Sequence, residues 1–194
     1  MDNRENILAC ALDLFYAKGY DAVGTQEIVK AAGVTKPTMY YYFGSKAGLL
    51  EALLKEHFEE LLTAVDAVTD AMQGMPFPDI LFKVASVFMG YAVTHEKAYR
   101  FALALYYTGA ENEGHKLVEP LVRAYYERLV KVFLDAADQL GNMNGRQREF
   151  ALGLQGLLDT TFLMYCNQPE EERRVPDEDM IRNILRQFMY GIYS

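Results

Sequence analysis

The stretch that decides the fold of the N-terminal region is Thr25-Gln-Glu-Ile-Val-Lys-Ala-Ala-Gly-Val-Thr-Lys-Pro-Thr-Met-Tyr-Tyr-Tyr-Phe43. Ile28 lies on the inward face of a short helix, and a second short helix begins near Thr35. Gly33 stands between them and can adopt the positive φ that a tight turn requires. Pro37 falls in the first turn of the second helix, where its missing N–H is tolerated. Two short helices joined by such a turn predict a helix-turn-helix.

Helical periodicity continues through nearly the whole chain. Apolar residues at three- and four-residue spacing predict a first helix that ends at Gly19 and a long fourth helix capped by Ser45. We find no alternating strand pattern and no internal repeat. The sequence therefore predicts an all-α fold of about nine helices, with three N-terminal helices followed by a helical bundle. The later helical patterns cover residues 79–95, 96–108, 114–141, 146–167 and 177–193.

The charge is distributed unevenly along the chain. Residues 1–48 contain five basic and five acidic side chains, so the net charge of −8 lies entirely in residues 49–194. A net negative charge argues against a generic nucleic-acid-binding protein. A neutral N-terminal region can still meet DNA, however, if its lysines share one face.

Composition excludes several classes of protein. Apolar residues make up 51% and charged residues 24% of the chain, which is typical of a globular protein and excludes disorder of the whole chain. Two cysteines, Cys10 and Cys166, are too few for a disulfide scaffold or a four-cysteine zinc site. No apolar run approaches the length of a membrane span, and no signal peptide is recognised. We therefore expect a cytoplasmic protein without a membrane partner.

Candidate catalytic and metal-binding residues are few. Glu111, His115 and Glu119 have a spacing that could hold a metal, but a surface histidine beside solvated acids is the simpler interpretation. The sequence contains no His-Glu-x-x-His motif, no phosphate-binding loop and no Gly-x-Ser-x-Gly motif. We therefore predict no metal site and no cofactor, and we expect that the chain is not an enzyme.

The second short helix presents polar and aromatic side chains to the outside. Hydroxyl groups and an ammonium suit phosphate oxygens and base edges. Three consecutive helical tyrosines span about 300°, so they cannot all face inward. We expect Phe43 and at most one of these tyrosines to lie in the core. The outward candidates are Lys36, Thr38, Tyr40, Tyr41 and Tyr42.

Residues 5–55 resemble the DNA-binding region of the TetR family of bacterial transcriptional repressors. The resemblance implies a helix-turn-helix domain over residues 1–48, with a recognition helix at about 35–43, and a ligand-binding and dimerisation domain over residues 49–194. It is carried by Phe15-Tyr-Ala-Lys-Gly-Tyr20, Thr25-Gln-Glu-Ile-Val29, Ala32-Gly-Val-Thr-Lys-Pro-Thr-Met-Tyr-Tyr-Tyr-Phe43 and Ser45-Lys46.

The same resemblance implies roles for individual residues at the DNA. The residues implied to contact the phosphate backbone are Thr25, Tyr41, Tyr42 and Lys46. The residues implied to lie at or near the bases are Thr35, Lys36, Pro37, Thr38 and Tyr40. A phosphate partner would explain a lysine in the first turn of a helix, where acids are usually preferred.

Residues 77–133 contain eleven aromatic side chains. Because every buried tyrosine hydroxyl needs a partner, the doublets Tyr106-Tyr107 and Tyr125-Tyr126 predict a cavity with an apolar wall and a few polar groups. The family resemblance implies that a small effector binds in this region, and we expect an apolar or aromatic one. The predicted pocket residues are Phe88, Tyr91, Phe101, Leu105, Tyr106, Tyr125, Tyr126, Leu129 and Phe162.

The two last helical patterns each carry an apolar stripe. The resemblance implies that these helices pair with their copies in a four-helix dimer interface, whereas burial in the core of one chain is the alternative. We expect a mixture, with one edge of each helix left for the partner. A two-fold symmetric dimer suits a pseudo-palindromic DNA operator. The predicted interface residues are Leu154, Leu158, Thr161, Tyr165, Ile181, Leu185 and Phe188.

The leading functional hypothesis is a homodimeric repressor that binds operator DNA and is released by a small effector. The first alternative is an all-α enzyme or carrier whose aromatic pocket is the active site. The second is an effector-independent DNA-binding protein or an activator. A ligand that abolishes operator binding separates the leading hypothesis from the second alternative.

Overall fold

The computed structural model describes residues 2–71, 74–141 and 143–191, and every regular element in these ranges is an α-helix. The predicted all-α fold of about nine helices is confirmed. In chain order the helices are α1 (Asn3–Lys18), α2 (Thr25–Ala31), α3 (Lys36–Phe43), α4 (Lys46–Ala71), α5 (Phe77–Thr94), α6 (Glu96–Tyr106), α7 (Glu113–Asp135), α8 (Gln147–Cys166) and α9 (Glu178–Tyr190).

The helices group into two compact units. Unit 1 comprises Met1–Glu59 and His95–Val122, and unit 2 comprises Glu60–Thr94 and Arg123–Ser194. Helices α4 and α7 each contribute residues to both units. The predicted division into residues 1–48 and 49–194 stays a prediction.

In unit 1, α1 packs against α2, α3 and α6. Asp2 and Glu5 form a capping box, which satisfies backbone N–H groups at the start of α1. Phe15 is fully buried, and its ring stacks on Phe101 of α6 with 5.8 Å between centroids. The edge of Tyr20 meets the same Phe15 ring at 5.3 Å. These aromatic contacts hold the end of α1 against α6.

The start of α4 shows why a glycine follows its cap so closely. Ser45 accepts a hydrogen bond from the Gly48 amide at 2.9 Å, which confirms Ser45 as the cap. A Cβ atom at Gly48 would lie 2.1 Å from the carbonyl oxygen of Phe43. A full capping box would need Glu or Gln at this position, and the Phe43 carbonyl leaves no room for either.

In unit 2, α5 packs against α8 and α9. By length and composition α5 is the one helix within the described ranges that could cross a membrane. Nine of its side chains are buried in the protein, so a core position explains its apolar composition. A cluster of phenylalanines lies nearby, with the Phe133 ring 5.2 Å from Phe77 and 6.3 Å from both Phe150 and Phe188.

Candidate functional site

The turn between α2 and α3 is held by backbone hydrogen bonds and by α1. Gly33 has a φ of +65°, as the sequence predicted for a residue in this turn. The amide of Val34 donates to the carbonyl of Val29 at 3.0 Å. The side-chain amide of Asn6 in α1 donates to the carbonyl of Ala32 at 2.7 Å. The helix-turn-helix is therefore anchored on α1.

The beginning of α3 leaves two side chains at the surface. The helix begins near Thr35, as predicted, and Thr35 is its N-cap. The Thr35 hydroxyl accepts from the Thr38 amide and lies 2.8 Å from the Thr38 hydroxyl. Met39 is fully buried and fills the space beneath the helix. Lys36 and Pro37 are exposed at the first turn. The fixed end of α3 therefore presents these two residues outward.

The three consecutive tyrosines of α3 are all exposed. Tyr41 is 84% exposed, Tyr40 and Tyr42 are each about two-fifths exposed, and the rings of Tyr41 and Tyr42 meet edge to face at 5.2 Å. The expectation of a core role for Phe43 was wrong, because Phe43 is only half-buried. We call Lys36, Pro37, Tyr40, Tyr41 and Tyr42 the tyrosine face. It offers three phenolic hydroxyls and one ammonium to an outside partner.

The ammonium of Lys46 makes contacts within the chain. Its ammonium donates to the carbonyls of Tyr20 at 2.8 Å and Val23 at 2.9 Å. It also lies 4.1 Å from the centroid of the Tyr20 ring, a cation–π contact. Two of its three N–H groups are therefore used inside the chain. Lys46 therefore fixes the turn after α1, and its predicted phosphate contact stays a prediction.

Tyr20 links this turn to the start of α7. Its hydroxyl donates to a carboxylate oxygen of Glu113 at 2.5 Å. Burial, followed by this hydrogen bond and the charge of Glu113, raises the pKa of Tyr20. Asn112 adds a second link, because its amide donates to Asp21 at 3.0 Å. No sequence pattern predicts these contacts, since the partners are more than ninety residues apart.

Thr25 and the remaining lysines complete the helix-turn-helix surface. Thr25 is the first residue of α2 and is half-buried, and the N-cap of this helix is Gly24. Lys18 forms an ion pair with Glu27. Lys30 and Lys36 are exposed and form no ion pair with any described residue. Lys30 therefore has a charge that is not neutralised by an ion pair with a described residue, and it was not among the DNA contacts predicted from the sequence.

In unit 2, Tyr125 is the most enclosed of the predicted pocket residues with a polar atom. It is 1% exposed, and its ring stacks on Phe88 with 5.6 Å between centroids. Its hydroxyl has no hydrogen-bond partner among the residues described. Burial, and then the charge of Asp159, raise the pKa of Tyr125. Burial and the charge of Glu60 likewise raise the pKa of the buried Tyr91.

The other predicted pocket residues lie in different surroundings. Phe88, Leu129 and Phe162 are fully buried in unit 2. Tyr126 instead donates to the backbone carbonyl of Arg148 at 3.1 Å near the surface, so it is not a buried polar group. In unit 1, Phe101 and Leu105 are buried, and Tyr106 stacks on His115 at 5.6 Å. A pocket that includes all nine residues stays a prediction.

The candidate metal ligands are occupied by other contacts. A ring nitrogen of His115 lies 2.8 Å from the carbonyl of Tyr106, and Glu111 pairs with Lys116 at 2.9 Å. Over residues 2–71, 74–141 and 143–191, no group of three His, Cys, Asp or Glu side chains could hold a metal ion.

Residues 7–53 match the family model of bacterial regulatory proteins, tetR family. The helix-turn-helix region of the chain is that of the TetR family. The matched residues include α2, the turn at Gly33, the tyrosine face and the start of α4. The resemblance inferred from the sequence is therefore confirmed.

Curated relatives match part of the chain. The activator FasR of Mycolicibacterium smegmatis is 39% identical over 64 residues, which is 33% of this chain and 29% of FasR. The repressor BdcR of Escherichia coli is 37% identical over 67 residues, 34% of each chain. The matches thus span about a third of these relatives. The relatives are transcriptional regulators and not enzymes, in agreement with the expectation that the chain is not an enzyme.

Structural similarity extends over nearly the whole chain. A crystal structure of the regulator FadR from Bacillus subtilis in complex with stearoyl-CoA superposes with a TM-score of 0.79. It covers 97% of this chain and 99% of FadR at 18% sequence identity. At this identity the comparison shows that the two chains share their fold.

Most of the predicted interface residues are buried within the single chain. Leu154, Leu158, Tyr165, Ile181 and Leu185 are buried within the single chain, where α8 and α9 pack on α5. Because these five side chains are at most 8% exposed, they offer little surface to a second copy, and their part in the interface stays a prediction. The other two predicted interface residues, Thr161 and Phe188, are half-buried.

The exposed side of α8 carries a different stripe. Leu152, Gly156, Thr160 and Met164 follow each other at four-residue intervals, and Leu152 and Met164 are 63% and 67% exposed. Residues at this spacing form a ridge along one side of a helix. We call these four residues the α8 ridge. It is uncharged and combines large apolar with small side chains.

Proposed function

We propose that the chain is a cytoplasmic, homodimeric transcriptional regulator that binds an operator in double-stranded DNA and responds to a small effector. The observation that carries this proposal is the tyrosine face on α3 of a TetR-family helix-turn-helix. Exposed aromatic side chains are uncommon on a free surface without a partner. Hydroxyl groups on a short exposed helix can reach base edges and phosphates in the major groove.

Contacts of two kinds divide the surface of the helix-turn-helix. The residues assigned to positions at or near the bases are Thr35, Lys36, Pro37, Thr38 and Tyr40. The residues assigned to phosphate contacts are Thr25, Tyr41 and Tyr42. Lys36 and Lys30 supply positive charge, because neither is neutralised by an ion pair within the described ranges. Lys46 holds the turn on which α3 depends.

The α8 ridge is the proposed contact with a second copy of the chain. An exposed, uncharged row of Leu152, Gly156, Thr160 and Met164 is expected where a helix packs against its own symmetry mate. The small residues Gly156 and Thr160 allow two helices to approach closely. A two-fold symmetric pair places its recognition helices about one DNA turn, 34–36 Å, apart.

The proposed effector is a small molecule with a large apolar or aromatic part. The enclosed aromatic side chains Phe88, Tyr125 and Phe162 favour such a ligand. An acyl chain is one candidate, because the structurally similar B. subtilis FadR was solved with stearoyl-CoA. Release from DNA requires that the effector bind the DNA-incompetent conformation more tightly.

We propose repression as the direction of control. The names of the relatives include a repressor and an activator, so a promoter assay decides between them. A reporter gene placed under the control of an operator that the chain binds should be less active when the chain is present. Higher activity would assign the chain as an activator and leave its DNA binding intact.

Capture of fragments from the source genome by the purified chain at near-physiological salt, followed by sequencing, tests the DNA-binding proposal. We expect enrichment of one two-fold symmetric site near a few promoters. Tyr41→Ala should lower the enrichment at least tenfold. Tyr107→Ala removes another exposed tyrosine away from α3 and serves as the matched control. Diffuse capture by the unaltered chain would contradict the proposal.

The proposed dimer contact has its own test. Met164→Glu places a charge on the α8 ridge, and we expect it to convert the dimer to a monomer in analytical ultracentrifugation. Leu134→Glu is the control, because Leu134 is similarly exposed on α7. A dimer that persists in Met164→Glu would show that the chains meet elsewhere.

A further inference from the structure

Tyr125 has one polar atom that packing within the chain does not explain. Its ring is enclosed and stacks on Phe88, whereas its hydroxyl has no hydrogen-bond partner among the described residues. A buried hydroxyl gives up its hydrogen bonds to water, so leaving it unpaired lowers the stability of the folded chain. Phenylalanine at this position would keep the stacking without this penalty. The hydroxyl therefore points to a partner outside the chain.

The charge of Asp159 on α8 acts on this hydroxyl. Asp159 is 7% exposed, and among the described residues it is the one charged side chain that is buried. Its charge acts on Tyr125 together with burial, and both disfavour the phenolate. Tyr125 therefore keeps its proton at neutral pH and acts as a hydrogen-bond donor. A second anion placed at the same point would be repelled by Asp159.

We propose that Tyr125 is the polar anchor of the effector site and donates a hydrogen bond to an uncharged acceptor oxygen of an otherwise apolar ligand. An ester, thioester or amide carbonyl has this chemistry. A free carboxylate is disfavoured by Asp159, and a hydrocarbon without an acceptor leaves the hydroxyl unpaired. The inference rests on the proposed effector response and specifies the ligand's polar group.

The test uses two matched pairs of probes with the full chain. Methyl decanoate is compared with decanoate, and methyl benzoate with benzoate, because an apolar or an aromatic body is expected. Binding is measured by calorimetry at neutral pH. We expect at least one ester to bind, about tenfold more tightly than its carboxylate. Tyr125→Phe should weaken that ester about tenfold, since one buried hydrogen bond is lost.

Three further variants make the result specific. Tyr107→Phe removes the hydroxyl of an exposed tyrosine and should leave ester binding unchanged. Asp159→Asn should narrow the preference for ester over carboxylate, because the repulsion is removed. Tyr91→Phe removes the hydroxyl of another buried tyrosine in unit 2 and should weaken the ester less than Tyr125→Phe.

Several outcomes would overturn the anchor. The first is that an ester and its carboxylate bind with equal affinity. The second is that Tyr125→Phe leaves the affinity for the ester unchanged, and the third is that neither ester binds. Operator binding of the unaltered chain is measured separately, without any probe. If operator binding is present while the esters fail, the anchor is wrong and the DNA-binding proposal stands. If operator binding is also absent, the proposed function itself has failed.

Discussion

Tyr20 and Tyr125 are both buried tyrosines, but their hydroxyls have different surroundings. Tyr20 is 4% exposed and donates to Glu113, while Tyr125 is 1% exposed and has no partner in the described part of the chain. Burial is the first cause of a raised pKa in both. The region around Tyr20 is therefore completed by its own chain, whereas the region around Tyr125 has the character of a site that a ligand completes.

The same contrast holds for the larger surroundings. Around Tyr20, the ammonium of Lys46 pairs with two carbonyls, and Gly48 fits closely against the Phe43 backbone. In unit 2, by contrast, the α8 ridge exposes Leu152 and Met164. A tightly paired turn suits a DNA-reading helix that must be held rigidly. An exposed ridge suits an element that pairs with another molecule.

The largest predicted effect breaks the tightly paired turn. Lys46→Met keeps the aliphatic stem but removes the two hydrogen bonds and the cation–π contact with Tyr20. We expect the free energy of unfolding to fall by about 3 kcal/mol, because hydrogen bonds from a charged donor are lost. Urea denaturation of the full chain, followed by circular dichroism, measures this loss.

Lys36→Met is the control for this prediction. Lys36 is exposed and unpaired among the described residues, so its loss should change the free energy of unfolding by less than about 0.5 kcal/mol. Operator binding should depend on Lys36 instead. In Lys36→Met, the logarithm of the binding constant should fall less steeply with the logarithm of the salt concentration, by a slope of about one. A large loss of stability in Lys36→Met, or none in Lys46→Met, would contradict the assigned roles.

The helix-turn-helix could be predicted because its determinants are local. Gly33 in the turn, Thr35 as cap and Pro37 in the first turn all act within a few residues. Lys46 shows where this reasoning stops. Its hydrogen-bond acceptors are backbone carbonyls of Tyr20 and Val23, which any residue would provide. A sequence pattern therefore gives no signal that the ammonium is already engaged.

The dimer residues show a second limit of sequence reasoning. Periodicity identifies the apolar stripe of α8, but it does not say whether the same chain or another copy covers it. Leu154 and Leu158 are covered by the same chain. The α8 ridge escaped notice because Gly156 and Thr160 contribute little hydrophobicity. Similarly, nothing in the sequence distinguishes Asp159 from an exposed acid, and only the fold shows its burial and the effect of its charge on Tyr125.

A pair of isosteric variants tests the central comparison directly. Tyr20→Phe should lower the free energy of unfolding by about 1–2 kcal/mol, because it removes a hydrogen bond to a charged carboxylate. Tyr125→Phe should leave it unchanged or raise it by up to about 1 kcal/mol, because the hydroxyl it removes is unpaired. Thermal unfolding at neutral pH measures both. Equal losses in the two variants would show that Tyr125 has a partner of its own.

At alkaline pH the two tyrosines should behave alike, which gives the smallest but most specific prediction. Both folded-state pKa values are raised above the ordinary value of 10.0. Below pH 10 both states hold the proton, so each contribution is fully present. Above pH 10 the unfolded chain releases it while the folded chain retains it, so stability falls as pH rises. Each tyrosine contributes at most about 1.4 kcal/mol per pH unit to this fall.

Guanidinium denaturation midpoints between about pH 9 and pH 11 measure this slope. Tyr20→Phe and Tyr125→Phe should each make it shallower by a similar amount, although they differ at neutral pH. Tyr107→Phe should leave the slope unchanged, because an exposed tyrosine releases its proton at a similar pH in the folded and the unfolded chain. If Tyr125→Phe leaves the slope unchanged, the Tyr125 hydroxyl ionises in the folded chain. Solvent would then reach it, and an enclosed donor could no longer explain a preference for uncharged acceptors.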